Sequence, residues 1–302
     1  MNAKIIYGTA WKKERTSGLV ISAVLNGFKA IDTACQPKHY REDLVGEALQ
    51  VLYDKHGFKR EDILLQTKFT PLSGQLPTPT LPYDPSTPLP TQILSSFSTS
   101  LSNLKTTYLD SYLLHSPMRS LALTLQAWNV LVGLREEGKV RKIGISNCYD
   151  VRILEALEEG EEEEGVRGKR KVDVVQNRWY EGNEWDVDVW KYCVERGIQY
   201  QSFWTLSGSP SLLSHPSTLH ISRTKQITPS QVIYKLAQMH GITPLSGTTK
   251  EEHMKDGVGV ERIDLFGDVV EGEDVEAVAR ELVTSMDEDG KMRPIGNMGG
   301  RS

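Results

Sequence analysis

The chain has 302 residues, 38% of them hydrophobic and 25% charged, ordinary proportions for a protein long enough to bury a sizeable core. A net charge of −5 gives no basis for binding nucleic acid or an anionic membrane surface. Three scattered cysteines, Cys35, Cys148 and Cys193, are too few for a disulfide framework or a zinc site, and no N-terminal apolar run is long enough for a leader or a membrane span, so a reduced, cytoplasmic setting is expected.

In chain order, residues 4–8 (KIIYG) read as a strand and 18–27 carries helical spacing. Residues 28–33 (FKAIDT) are strand-like, and 42–57 is an amphipathic helix closed by glycine. Strands are predicted at 62–69, 108–116, 139–147, 171–177, 198–204 and 242–247. Helices are predicted between them at 89–104, 121–138, 150–160, 188–197 and 228–241. Repeated strand-then-helix units require parallel pairing, because each crossover returns to the same edge. Eight such units in about 260 residues fit a closed (β/α)8 TIM barrel, an α/β fold, in one domain. An open doubly wound sheet is the alternative, but no G-x-G-x-x-G follows the first strand.

The barrel is assigned to 1–265, with a C-terminal helix and flexible tail over 266–302. Residues 70–90 hold seven prolines and no helical period, which reads as a long loop over the C-terminal mouth. The acidic run from 158 to 164, with a basic run behind it, reads as a solvated loop on the opposite face.

Side chains at the C-terminal ends of barrel strands converge on one mouth. Strand 2 ends at Asp32, with His39 and Tyr40 in the loop beyond, strand 3 ends at Lys68, and strand 4 ends at His115. Strand 5 ends at Ser146 and Asn147, strand 6 near Gln176, strand 7 at Phe203 and Trp204, strand 8 at Ser246 and Gly247. Ionisable groups on three consecutive strand ends are costly to desolvate unless they pair or serve a purpose. A lysine beside a phenol is expected to lower the phenol's pKa, and a carboxylate would keep that lysine charged. His39 and Tyr40 both remain candidates for the titrating group of the strand-2 loop.

These residues stand in motifs whose order resembles the aldo-keto reductases, with wording seen in fungal members. The motifs are GTAW (8–11), IDTA (31–34), TKF (67–69), LLHSP (113–117), GKVRKIGISN (138–147), VVQNRWY (174–180) and PLSGTT (244–249). The resemblance spans roughly 5–260 and implies a (β/α)8 barrel that reduces aldehydes or ketones by hydride transfer from NADPH, with NADH possible. It implies a catalytic tetrad of Asp32, Tyr40, Lys68 and His115, with tyrosine as general acid. It implies that Ser146, Asn147 and Gln176 hold the nicotinamide carboxamide and that Phe203 stacks on the ring. Gly8, Thr9, Leu206, Ser246, Gly247, Thr248 and His253 complete the implied cofactor site. Two departures stand out. Eight positions separate Asp32 from Tyr40, more than in most members, which makes His39 the competitor of Tyr40. Leu245 stands where many members carry a phosphate-gripping lysine, leaving Lys250 and His253 as nearby basic groups.

The expected partner is a small carbonyl compound, with no nucleic acid or membrane, and the chain is expected to be a monomer or weak homodimer. The alternative function is a cofactor-holding sensor or regulatory subunit with little turnover. A short-chain reductase is excluded, because no Tyr-x-x-x-Lys pair occurs.

Overall fold

The computed structural model describes residues 3–75, 80–159 and 170–265. Eight parallel strands close on themselves in sequence order, β1-β2-β3-β4-β5-β6-β7-β8. They are β1 (Ile6–Gly8), β2 (Ala30–Asp32), β3 (Leu64–Phe69), β4 (Leu109–Leu114), β5 (Val140–Ser146), β6 (Val174–Arg178), β7 (Gln199–Phe203) and β8 (Thr243–Ser246). Helices cover the outside: α1 (Thr16–Leu25), α2 (Glu42–His56), α3 (Leu89–Leu104), α4 (Leu121–Glu136), α5 (Val151–Glu159) and α6 (Val187–Arg196). They are followed by α7 (Pro210–Leu213), α8 (Pro216–Lys225), α9 (Pro229–Met239) and α10 (Glu251–Gly259). The expected (β/α)8 barrel is the observed fold.

The strands form where apolar residues run nearly unbroken, because a parallel strand in a barrel is buried on both faces. All six residues of β4 are buried. The helices carry ordinary start and stop chemistry. α2 opens on Glu42 and Asp43 and ends at Gly57, whose φ of 73° satisfies a left-handed cap. α9 opens with a capping box between Thr228 and Gln231, and Pro229 sits in its first turn. The main apolar core lies between sheet and helices and includes Val45, Leu49, Tyr112, Trp128 and Leu131.

One stretch differs from expectation: residues 205–228, where no element is predicted, contain α7 and α8, while α10 is the helix that completes the eighth strand-then-helix unit. Neither α8 nor α10 has a strong apolar stripe. α10 buries only Met254 and Gly257, so its placement comes from packing on the barrel rather than from its own periodicity. The 70–90 loop is pinned at its described ends. Tyr83 packs on Phe69 with ring centroids 5.4 Å apart, and its hydroxyl donates to the Thr70 carbonyl at 2.8 Å. Residues 76–79, most of the 158–164 acidic run, and the expected helix and tail over 266–302 lie outside the described residues. Glu158, at the start of that run, is engaged: its carboxylate accepts from the Val172 amide at 3.2 Å and the Tyr192 hydroxyl at 3.1 Å. Among the described residues no helix is long and apolar enough to cross a membrane. All three cysteines are buried and free.

Candidate active site

Strand periodicity aims every second residue of β3, β6 and β7 into the barrel, and it does so for Gln66 and Lys68, for Gln176, and for Gln201. Together with Asp32 they build a polar layer just below the mouth. Lys68 Nζ donates to both Asp32 oxygens at 2.7 Å and to the Thr33 carbonyl at 2.9 Å. Gln66 and Gln176 each donate to Asp32 Oδ1, at 2.7 and 3.0 Å. Both also donate to Gln201 Oε1, and Gln201 returns a bond to Gln66 Oε1 at 3.1 Å. Lys68 is fully buried and Asp32 nearly so, yet every Lys68 proton has an acceptor. That satisfaction is what permits a buried ion pair.

Above this layer stand Tyr40 and His115. The loop from Thr33 to Arg41 returns Tyr40 to the barrel despite its length. The Gln36 carbonyl accepts from the His39 and Tyr40 amides at 3.1 and 3.0 Å, and Gln36 Nε2 donates to the Gly74 carbonyl at 2.7 Å. The Trp11 amide holds the His39 carbonyl at 2.7 Å. This turns the two neighbours apart. The His39 ring stacks on Trp11 at 3.7 Å between centroids. The Tyr40 ring lies 5.5 Å from Lys68 Nζ and 6.0 Å from the His115 ring. Tyr40, not His39, joins Asp32, Lys68 and His115.

Protonation follows from burial. Desolvation and the Asp32 charge push the Tyr40 phenol well above its ordinary range. The expected lowering by Lys68 is therefore not what the structure has, because the ammonium is spent on Asp32 and the phenol faces the carboxylate as well. Burial and the Lys68 charge hold His115 well below its usual value, so its imidazole is neutral near pH 7. His115 Nδ1 is 2.7 Å from Thr70 Oγ1. Either atom can donate in this contact, and with the hydroxyl as donor the ring proton lies on Nε2.

The ends of β5, β6 and β7 form the other wall. Ser146 Oγ donates to the Gln176 carbonyl at 2.6 Å. Asn147, at φ 52°, donates from Nδ2 to the His115 carbonyl at 2.9 Å and to Ser146 Oγ at 3.2 Å. Arg178 Nη1 donates to Asn147 Oδ1 at 3.0 Å. Both Gln176 amide protons are used, on Asp32 and Gln201, while its Oε1 has no hydrogen bond among the described residues. A primary carboxamide placed here would therefore find an acceptor for its N–H, so the Ser146, Asn147 and Gln176 set fits a nicotinamide.

One cavity of about 820 Å³ connects these walls. Asp32, Tyr40 and His115 line it, as do Ser146, Asn147, Gln176, Phe203 and Leu206. Gly8, Ser246, Gly247, Thr248 and His253 also line it, with residues of α9 and α10 such as Gln231, Tyr234 and Asp256. Thr9 does not line it; it is fully buried, and its hydroxyl donates to the Asp32 carbonyl at 2.9 Å. Trp11 and Trp204 line the rim, 65% and 51% exposed and each at φ 63°, conformations costly for bulky residues away from functional surfaces. Trp179 is instead buried against Trp185.

Several site residues escaped sequence reasoning: Gln66, Gln201, Thr70, Arg178 and Lys12. Lys12 lines the cavity and donates to the Gly247 carbonyl. The available signal was polarity two positions from Lys68 and Gln176 on the same strand face, and one position beyond β3.

A model of the Aldo/keto reductase family matches residues 4–271. An uncharacterised oxidoreductase of Bacillus subtilis, YtbE, is 29% identical over 249 residues, covering 82% of this chain and 79% of that protein. A glyoxal reductase of the same organism is 26% identical, covering 86% of this chain and 80% of that protein. Among solved structures, an aldo/keto reductase from Brucella melitensis superposes with a TM-score of 0.69 at 25% identity, covering 92% of this chain and 94% of that one. An aldo-keto reductase from a deep-sea metagenome library superposes at 0.72 with 22% identity, covering 100% of this chain and 97% of that one, a likeness of fold.

Proposed function

The chain belongs to the aldo/keto reductase family, oxidoreductases of carbonyl groups, and from that premise we propose that it reduces an aldehyde or ketone to an alcohol with Tyr40 as proton donor. When bound, a nicotinamide dinucleotide supplies the hydride that reaches the carbonyl carbon. Tyr40 is protonated across the neutral range, so a donor is always in place. Its proton passes to the carbonyl oxygen as negative charge develops there. His115 Nε2–H offers a second donor to the same oxygen, held by the Thr70 contact. Once the phenol has given up its proton, Lys68 is the cation that offsets the phenolate, and Asp32 keeps Lys68 oriented.

NADPH is the proposed cofactor, with NADH as the alternative, held by Ser146, Asn147, Gln176, Phe203 and the loop from Ser246 to Thr248. At the far end the cations are partly committed. Lys255 pairs with Glu251 at 2.8 Å, and both Lys250 and His253 lean on Glu252, at 4.0 and 3.5 Å. A panel of carbonyl compounds run with both dinucleotides addresses the choice. Three free, buried cysteines suit a cytoplasmic protein, proposed to act as a monomer or weak homodimer.

The observation that carries this reading is the meeting of Tyr40 and His115, beside the buried Lys68–Asp32 pair, on the wall of a single cavity that Asp32, Tyr40 and His115 line. Replacing Tyr40 by Phe is expected to cut kcat by about 10²-fold or more while leaving the dinucleotide Kd nearly unchanged. Near wild-type turnover in Tyr40→Phe would sink the assignment, and a comparable loss in His39→Asn alone would transfer it to His39.

A further inference from the structure

Arg178 leaves β6 two residues beyond Gln176 and so on the same face of the strand. It is half-buried and lines the cavity. Strand register sets it beside Phe203. Its guanidinium carbon lies 5.1 Å from the centroid of the Phe203 ring and 4.8 Å from that of Trp204, and Nη1 is anchored on Asn147 Oδ1. No carboxylate among the described residues forms an ion pair with it. The two carboxylates of the cavity wall are engaged or distant in the fold: Asp32 holds Lys68, and Asp256 sits on α10. A guanidinium clamped by one hydrogen bond and two aromatic faces, without a counter-charge, is a standing positive charge beside the carboxamide set.

We propose that Arg178 sets the redox-state preference of the bound cofactor, disfavouring the oxidised form and sparing the reduced one. The inference rests on the cofactor placement proposed above. The oxidised nicotinamide ring carries one positive charge and the reduced ring none, so every other contact being shared, only the oxidised form feels Arg178. For scale, two unit charges at a separation set at about 7 Å repel by about threefold in affinity at the dielectric constant of water and by about fiftyfold at an effective value of 20. A half-buried arginine falls between, on the order of tenfold. The consequence is directional: the oxidised product leaves readily, and alcohol oxidation is held back by weak binding of its cofactor.

The test is a pair of titrations, NADPH against NADP+ and NADH against NAD+, on wild type, Arg178→Met and Arg178→Lys, read by calorimetry and by tryptophan fluorescence. The ratio of oxidised to reduced Kd is expected to fall about tenfold in Arg178→Met, which keeps the length of the side chain and loses its charge. It is expected to stay within about twofold of wild type in Arg178→Lys, which keeps the charge. An unchanged ratio in Arg178→Met, with both forms still bound, overturns the proposal. An equal fall in both variants also overturns it, since shape and not charge would then be responsible. Wild-type protein that binds neither form of either dinucleotide overturns the cofactor reading itself, and this inference with it. Should circular dichroism show Arg178→Met unfolded, Arg178→Gln takes its place and is read the same way.

Discussion

Asp32 and Asp186 are both buried carboxylates at the C-terminal side of the barrel, one closing β2 and one between β6 and α6, and their surroundings treat them differently. Asp32 meets an ammonium and two amide donors. Asp186 meets only neutral donors, Asn177 Nδ2 and the Tyr200 hydroxyl, each at 2.7 Å on Oδ2. Burial then pushes Asp186 up to about 7. The Asp32 end of the mouth keeps charge by pairing it, while the β6–α6 junction, with no cation, holds its proton up to about pH 7. The junction has a structural task, because Asn177 also grips the amide and carbonyl of Cys148, directly behind Ser146 and Asn147. A cation is therefore placed beside the group proposed to carry the chemistry, and omitted where Asn177 fixes the backbone of Cys148.

The largest break in this contrast comes from removing the cation. Lys68→Met leaves Asp32 buried with amide donors alone, and loss of one partner of a buried pair costs about 3–5 kcal/mol. Urea unfolding is expected to show that loss, together with collapse of turnover. Removing both charges, as Asp32→Asn with Lys68→Met, is expected to recover much of the stability and none of the turnover. If the single variant unfolds at the wild-type urea concentration, the pair does not hold the first wall together.

How much of this was readable beforehand depends on range along the chain. The eight strands were legible because buried parallel strands are apolar runs. The strand-end residues Asp32, Lys68, His115, Ser146, Asn147 and Gln176 were legible because the barrel assigns a fixed height to each. The amide layer was not, because Gln66 and Gln201 meet across the barrel, 135 positions apart. The choice of Tyr40 over His39 depended on where the Gln36 carbonyl and the Trp11 amide hold a loop with no periodicity. The protonation of Tyr40 also ran against expectation. The pairing of Lys68 with Asp32 was expected, but residue types alone do not show how deeply the phenol is buried or that it faces the carboxylate as well. α8 was missed because its few buried residues, Ser217, Thr218 and Ile221, leave no stripe to count.

The proton on Asp186 sharpens the contrast from the other side. Its folded value of about 7 lies above the ordinary carboxylate value of 3.8, so between these pH values the folded chain holds a proton that the unfolded chain releases. Its contribution is full at low pH and declines as pH rises toward 7. Asp186→Asn keeps an oxygen to accept from Tyr200 and Asn177 but has no charge to suppress. The variant is expected to gain stability over wild type as pH rises, the gain at pH 8 exceeding that at pH 5 by about 2.6 kcal/mol. Thermal unfolding at the two pH values measures it, and a gain independent of pH would mean that Asp186 is ionised when folded.

The smallest expected effect tests whether a neutral partner can matter for chemistry as well as for structure. Thr70 and His115 form the neutral contact at the charged wall, the counterpart there of Tyr200 and Asp186. Thr70→Val keeps the shape and removes the hydroxyl, leaving Nδ1 without its partner. A net hydrogen bond of this kind is worth about 0.5–1.5 kcal/mol. If it serves to hold the Nε2 proton toward the carbonyl oxygen, that energy is expected in the barrier, as a loss of about two- to tenfold in kcat. Dinucleotide affinity is expected to stay unchanged, and Thr70→Ser to restore the rate. A merely structural contact would instead lower the melting temperature and leave kcat alone. That outcome would move Thr70 out of the catalytic wall and leave Lys68 and Asp32 as the pair that organises it.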